Sequence, residues 1–245
     1  ATGDDFGKIK IMNYPAIEQG TAFKDFSGHS SHVTNVRFTQ DDKHLISVGG
    51  NDKCIFQWRR EFEDPEDDDV EVEDHDEADF AFASGASSPF AVEQDAEGDQ
   101  FQAVKPWLGA IVEPSKPPKN LGRFPGLDLE HVHGLRAQDV RNTVQLNHNG
   151  DPVYAAAGLG VIFNKRHNTQ LFYKGHGDDV LALATSACGR YVVTGESGRR
   201  PKVCVWNAET ACEVRVLPQY HRRGVAAVAF SPCGSMACSV GLDDD

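Results

Sequence analysis

Apolar and polar residues alternate one for one in short runs over much of the chain, a period of two that predicts half-buried β-strands. Lys8-Ile-Lys-Ile-Met12 is the first such run and reads as an outer strand finishing a sheet. Residues 33–38, 45–48 and 54–58 follow. They are separated by Gln40-Asp41-Asp42-Lys43 and Gly49-Gly50-Asn51-Asp52, residue types that accept tight turns. Farther along, residues 144–146, 153–157, 161–163 and 170–173 predict four more strands. Asn149-Gly150 between the first two is a strong hairpin signal. Residues 180–184, 191–194, 203–206 and 214–217 form another such group, and a further one begins at Gly224.

The groups repeat. Residues 27–58 and 174–206 share one layout: Gly28-His29 and Gly175-His176 open it, and Trp58 and Trp206 close it. Ser186-Ala-Cys-Gly189 recurs as Ser231-Pro-Cys-Gly234, Val180 as Val225 and Thr194 as Ser239, each 45 residues on. That period falls within the roughly 40–45 residues of a WD-type β-propeller blade. The predicted fold class is all-β, built of WD40-type blades. Seven such blades need about 300 residues, and the chain has 245. A partial ring bares its sheet edges, so the sequence predicts blades interrupted at both ends of the chain and completed by further polypeptide.

The formal net charge of -13 hides an asymmetry. Residues 61–100 hold 17 acidic residues and no Lys or Arg, which leaves 20 acidic against 24 basic residues elsewhere, a net of +4. The acidic stretch carries scattered Phe (Phe80, Phe82, Phe90), has nothing to offset its self-repulsion, and reads as an unfolded spacer. The sharper alternative is a docking segment for a basic partner. Residues 105–125 contain five of the twelve prolines, which favours an extended path, interrupted by Trp107, Leu108, Ile111 and Val112 as docking residues.

In a WD-type blade the His of Gly-His, a turn Asp and the Trp form a buried hydrogen-bonded set, often with a strand Ser or Thr. His29, Asp52 and Trp58 have that spacing, with Val48 and Gly50 at the positions where the hydroxyl is sought. The second unit has His176 and Trp206, with Arg199-Arg200-Pro201 where the Asp is expected. This predicts blades that do not all depend on the set. No nucleophile elbow, phosphate-cradling loop or metal-ligand spacing stands out, so the residues predict no enzyme and no cofactor. Six cysteines without a CxxC pair, mostly in apolar runs, read as small buried hydrophobes of a reducing compartment. Nothing reads as a signal peptide or as an apolar run near 18 residues, so neither secretion nor membrane insertion is suggested.

Gly28-His-Ser-Ser-His-Val-Thr-Asn-Val-Arg-Phe38 and His44-Leu-Ile-Ser-Val-Gly-Gly50 resemble a late blade of the echinoderm microtubule-associated protein-like (EMAP-like) family. Leu129-Glu-His-Val-His-Gly-Leu-Arg-Ala-Gln-Asp-Val-Arg-Asn142 resembles that family's HELP motif. Residues 169–180 and 221–230 are similar to its next two blades. A late blade before a HELP motif resembles the long members, which carry several tandem-propeller units. The resemblance thus implies parts of two propellers joined by an acidic, Pro-containing linker. It divides the chain into residues 1–60, the last blade or blades of one propeller; 61–126, the linker; 127–143, the HELP-like motif; and 144–245, the first blades of the next. Leu127, Leu129 and Val132 are the expected HELP core. The resemblance implies a non-enzymatic microtubule-associated scaffold. Its partners are tubulin, microtubules and other cytoskeletal or axonemal proteins, and its setting is the cytoplasm, the cytoskeleton and the ciliary or flagellar axoneme. Neither nucleic acid nor a membrane is implied as a partner. Arg199, Arg200, Lys202, Arg222 and Arg223 are the candidate contacts to an acidic lattice. The alternative is a general WD-repeat interaction scaffold that does not touch microtubules. The family's N-terminal coiled coil has no counterpart in these residues, so no oligomeric state follows.

Overall fold

The computed structural model describes residues 1–14, 21–61 and 124–243. Every regular element among them is a β-strand. Strands β1 (Thr2–Gly3), β2 (Lys8–Met12) and β3 (Phe23–Ser27) form a three-stranded sheet. A four-stranded sheet follows, of β4 (Val33–Phe38), β5 (His44–Gly49), β6 (Ile55–Glu61) and β7 (Gly126–His133). The third sheet holds β8 (Val144–Leu146), β9 (Pro152–Ala156), β10 (Leu159–Asn164) and β11 (Thr169–Tyr173). The fourth holds β12 (Val180–Thr185), β13 (Tyr191–Glu196), β14 (Val203–Asn207) and β15 (Glu213–Leu217). Strands β16 (Val225–Phe230) and β17 (Ala237–Gly241) pair as a fifth.

Each sheet is an antiparallel meander, the form that short polar turns between alternating strands dictate. Asn149 and Gly150 lie in the turn joining β8 to β9, where Gly150 has φ +80 and the Asn147 amide bonds the Asp151 carbonyl at 3.0 Å. The pairing of innermost strand to next strand slips at one place in three sheets, between Val33 and Asn35, Val180 and Ala182, and Val225 and Ala227. A bulge at the same point of each repeat strengthens the local twist, which suits sheets stacked like blades.

The sheets pack face to face through shared cores. One core joins Ile9 and Ile11 of β2, Leu45, Phe56 and Trp58 of the second sheet, and Ala156, Leu159 and Val161 of the third. A second joins Val153, Ile162 and Tyr173 to Val180, Val192 and Trp206. A third joins Ala182, Val193 and Val203 to Val225. The third sheet brings no Trp of its own, but it makes room for its neighbour's. A Cβ at Gly160 would stand 2.6 Å from a ring carbon of Trp206. This is the all-β arrangement of WD40-type propeller blades that the repeat predicts.

Besides the two-residue β1, two strands were not visible in the alternation. Lys8–Met12 is a central strand, not an outer one, because Phe23–Ser27 pairs along its other side from Lys8↔Ser27 to Met12↔Phe23. Phe23-Lys-Asp-Phe-Ser27 is mostly exposed, so its pattern carries little signal. The second is β7, which supplies the outer strand of the second sheet from beyond a 64-residue interval. Its register runs from Glu61↔Gly126 to Ile55↔His133 and slips between Gln57 and Trp58, where Glu130 is the extra residue. Leu127 and Leu129 therefore face inward two apart, and the next inward residue is Val132, three apart. They are 8%, 4% and 2% exposed. Strands from both sides of the boundary expected at residue 127 thus share one sheet. The acidic and Pro-rich stretch, including Trp107, Leu108, Ile111 and Val112, lies outside the described residues apart from its two edges.

Leu129→Ala removes a fully packed branched side chain beside Trp58, so it is expected to cost about 2–5 kcal/mol. Glu130→Ala on the bulge is expected to cost under about 1 kcal/mol. Urea unfolding of the two variants beside the parent checks the contrast.

Candidate functional site

The loops that join one sheet to the next meet the loops between the second and third strands of each sheet. Beneath them lie three polar networks of one design. In the first, His29 Nδ1 lies 2.7 Å from Asp52 Oδ2 and His29 Nε2 lies 2.9 Å from Ser47 Oγ. Trp58 Nε1–H donates to the same hydroxyl at 2.9 Å. The bonds order themselves. With Ser47 accepting from Trp58 and donating to His29 Nε2, and Nδ1–H donating to Asp52, one tautomer of the imidazole satisfies every partner. The His29 ring also stacks on Phe56, with centroids 3.9 Å apart.

The second network has the same parts in the same order along the chain, with the carboxylate closer to the hydroxyl. His176 Nε2 lies 2.6 Å from Thr194 Oγ1, which accepts Trp206 Nε1–H at 3.0 Å. His176 Nδ1 lies 2.9 Å from Glu196 Oε2. The Asp missing from the turn is therefore replaced by a Glu at the end of β13, and Arg199-Arg200-Pro201 is not the substitute. Tyr173 stacks on Trp206 with rings 5.2 Å apart and 7° from parallel, and its hydroxyl donates to Glu213 at 2.8 Å. In the fifth sheet His221 Nε2 lies 2.9 Å from Ser239 Oγ, with Asp243 Oδ2 3.9 Å from Nδ1.

The hydroxyl stands 18 residues after the His in all three networks. The carboxylate stands 23, 20 and 22 residues after it. The sequence therefore showed His29, Asp52, Trp58, His176 and Trp206, which the structure brings together in two groups, but not Ser47, Thr194 or Glu196 as their partners. The constant spacing, with Thr194 recurring as Ser239, was the signal that could have found the hydroxyls.

A serine, a histidine and an aspartate in this order have the connectivity of a nucleophilic triad. Burial removes that use. Ser47 is 0% exposed and its oxygen already accepts the indole N–H, so no substrate reaches it. Among the described residues no group of three or more His, Cys, Asp or Glu is disposed to hold a metal ion.

Burial raises the pKa of Glu196, but the His176 bond and the amides of Gly177 and Lys202 outweigh it and hold the carboxyl below its ordinary value. Burial, reinforced by the charge of Asp52, pushes the Cys54 thiol up to about 12. Cys54 and Cys204 are buried as expected of small hydrophobes, whereas Cys188, Cys212, Cys233 and Cys238 are exposed. Cys188 and Cys233 sit in turns, and hydroxyls of Ser231 and Ser235 lower the Cys233 thiol to about 7.

Nearer the surface, Asp179 accepts from Ser30 and from Arg136, which also grips Asp139 through two bonds of 3.0 and 2.6 Å. One carboxylate thereby links the loops before β4, β8 and β12. The candidate cations divide. Arg199, Arg200 and Arg222 are exposed and line one open depression with Tyr220 and His221. Arg223 is exposed beside them, and its carbonyl accepts the Gly198 amide at 3.2 Å. Lys202 turns inward, where its Nζ donates to the Gly175 carbonyl at 3.1 Å.

The HELP motif model matches residues 125–161, and the model of the WD domain, G-beta repeat, matches residues 20–59 and 167–207. The ciliary WD repeat-containing protein ctxp80 of Euplotoides octocarinatus is 32% identical over 185 residues, which is 68% of this chain and 25% of that protein. Echinoderm microtubule-associated protein-like 1 of Rattus norvegicus is 54% identical over 59 residues, 24% of this chain and 7% of that protein. Echinoderm microtubule-associated protein-like 3 of Homo sapiens is 51% identical over a stretch of the same size, 59 residues. The matched part thus spans a quarter or less of each relative's length.

Ser47→Ala orphans the Trp58 N–H and leaves His29 Nε2 without its donor, at about 1–3 kcal/mol for each buried group. Ser47→Thr keeps the hydroxyl, as Thr194 does in the second unit, and is expected to retain most of the stability. Chemical denaturation of both variants tests this. Glu196 has a depressed carboxyl, so its contribution is present above about pH 4.5 and is lost as pH falls through its folded value. Glu196→Gln is therefore expected to lower stability at pH 7 and to flatten the acid side of the stability–pH curve, read by thermal melts from pH 7 down to about pH 3.

Proposed function

We infer that this chain, EMAP-like in carrying a HELP motif among WD repeats, acts as a non-enzymatic microtubule-associated propeller scaffold. The observation that carries the reading is the HELP strand itself. It is built into the sheet that holds the first His–Ser–Trp network and matches the HELP motif model, and relatives named as microtubule-associated share a 59-residue stretch with this chain. The buried hydroxyls support a structural role for the polar networks, not a chemical one.

The reading extends to partners and place. Tubulin, microtubules and other cytoskeletal or axonemal proteins are the proposed partners. The cytoskeleton, including that of cilia, is the proposed setting, in line with a relative named as ciliary. Arg199, Arg200, Arg222 and Arg223 are the proposed contacts, since they are exposed cations on one loop face. Lys202 is set aside because its amine is committed to Gly175.

Contact between exposed charges weakens as salt shortens their reach. Pelleting of the chain with microtubules is therefore expected at ~50 mM salt and is expected to fall away towards ~300 mM. Reversal of the four arginines to Glu is expected to abolish pelleting while the thermal melt stays cooperative. No pelleting of the parent at low salt would remove direct binding and leave a WD scaffold that engages other proteins.

A further inference from the structure

Arg199 and Arg200 lie on the loop between β13 and β14, and Gln219, Tyr220, His221 and Arg222 lie on the connection from β15 to β16. The six line one open depression of about 570 Å³. The two loops come from neighbouring sheets, but they are fastened together by backbone. Ser197 bridges Gly224, and the Gly198 amide donates to the Arg223 carbonyl at 3.2 Å. Gly198 and Gly224 have φ +106 and +158, and a Cβ on Gly198 would stand 2.8 Å from Asp178 Oδ2. The cations are thus held on a preformed frame, which lowers the ordering cost of engaging a ligand.

Among the described residues no carboxylate lies within ion-pair distance of the Arg199, Arg200 or Arg222 guanidinium. Two nearby acids accept backbone amides. Asp243 accepts the backbone amide of Arg222 at 2.9 Å, and Asp178 accepts that of Asp179 at 2.7 Å. Three guanidiniums in one concavity repel one another and await anions, which they grip through paired N–H bonds. Tyr220 adds a ring 81% exposed to solvent, an aromatic beside arginines, the composition that carries binding energy at protein interfaces.

We propose that this depression is a docking groove for an acidic peptide, an extended segment that sets at least two Asp or Glu carboxylates against Arg199, Arg200 and Arg222 and lays an apolar side chain on Tyr220. This reading does not depend on microtubule association.

The test is fluorescence anisotropy of the 245-residue chain with a labelled hexapeptide of Glu carrying one central Leu. Peptides with Gln or with Lys in place of Glu serve as comparisons. The expected result is saturable, salt-sensitive binding of the Glu peptide alone. The triple variant Arg199→Ala, Arg200→Ala, Arg222→Ala is expected to lower the affinity by about tenfold or more, and Tyr220→Ala by a few fold. Lys165→Ala with Arg166→Ala, on the exposed β10–β11 turn, is expected to change nothing. Equal binding of the Gln peptide, or unchanged affinity in a triple variant that melts like the parent, would overturn the groove. Tighter capture of a phosphoserine peptide of equal charge, or of an oligonucleotide, at the same arginines would overturn the carboxylate assignment. Microtubule pelleting of the same proteins keeps the two readings apart. Peptide binding without pelleting leaves the groove and removes the microtubule role, and pelleting without peptide binding does the reverse.

Discussion

The structure depends on one requirement: a polar group shut between two stacked sheets must be paired. A hydroxyl on the second strand of a sheet meets this by standing between an indole N–H and an imidazole nitrogen, and the far nitrogen of that imidazole meets a carboxylate. The set ties the loop before a sheet to its second and third strands at a single point. Because the groups are buried, removing one leaves the others unpaired, so the set is cooperative. Positions beneath the loop face are fixed for this reason, and the exposed residues above them are free to vary in chemistry.

The histidine and the hydroxyl keep a constant separation, while the carboxylate does not. Histidine and hydroxyl are fixed by backbone geometry, the one at the loop's mouth and the other at a set register of the next hairpin. The carboxylate has only to bring an oxygen to Nδ1, and side chains of different length reach that point from different places. Asp52 reaches it from a turn, Glu196 from the end of a strand. A search for aspartate at one spacing finds the first and misses the second. The same reasoning covers the cysteines, where an apolar run that looks buried turns out at Cys188 and Cys233 to be a hairpin tip.

The strands were legible wherever apolar and polar residues alternate in the sequence. Val33–Phe38 and Val144–Leu146 have the bounds that alternation gives them. Gly126–His133 escaped for two physical reasons. Its bulge at Glu130 interrupts the period of two, and its partner strand lies across a 64-residue interval, beyond any local pattern. Phe23–Ser27 escaped because exposure on both faces leaves no pattern to read. The three basic residues of the depression were visible as residues, but their convergence was not. It arises from two loops of adjacent sheets joined through Ser197 and Gly224.

The pairing of β6 with β7 has a mechanical consequence. Each doubling of the chain between them costs only about 0.6 kcal/mol in closure entropy, so the length of that interval is nearly free to change while the clasp holds. The direction of a pull matters far more. The interval leaves and returns at adjacent residues, because Glu61 faces Gly126 in the ladder. A force drawn on the chain between them would part the pairs one after another, like a zip opened from its end. A force along the strands would have to break all the ladder bonds together. The blade is therefore stiff to a pull along its strands and yielding to tension carried through its own interruption.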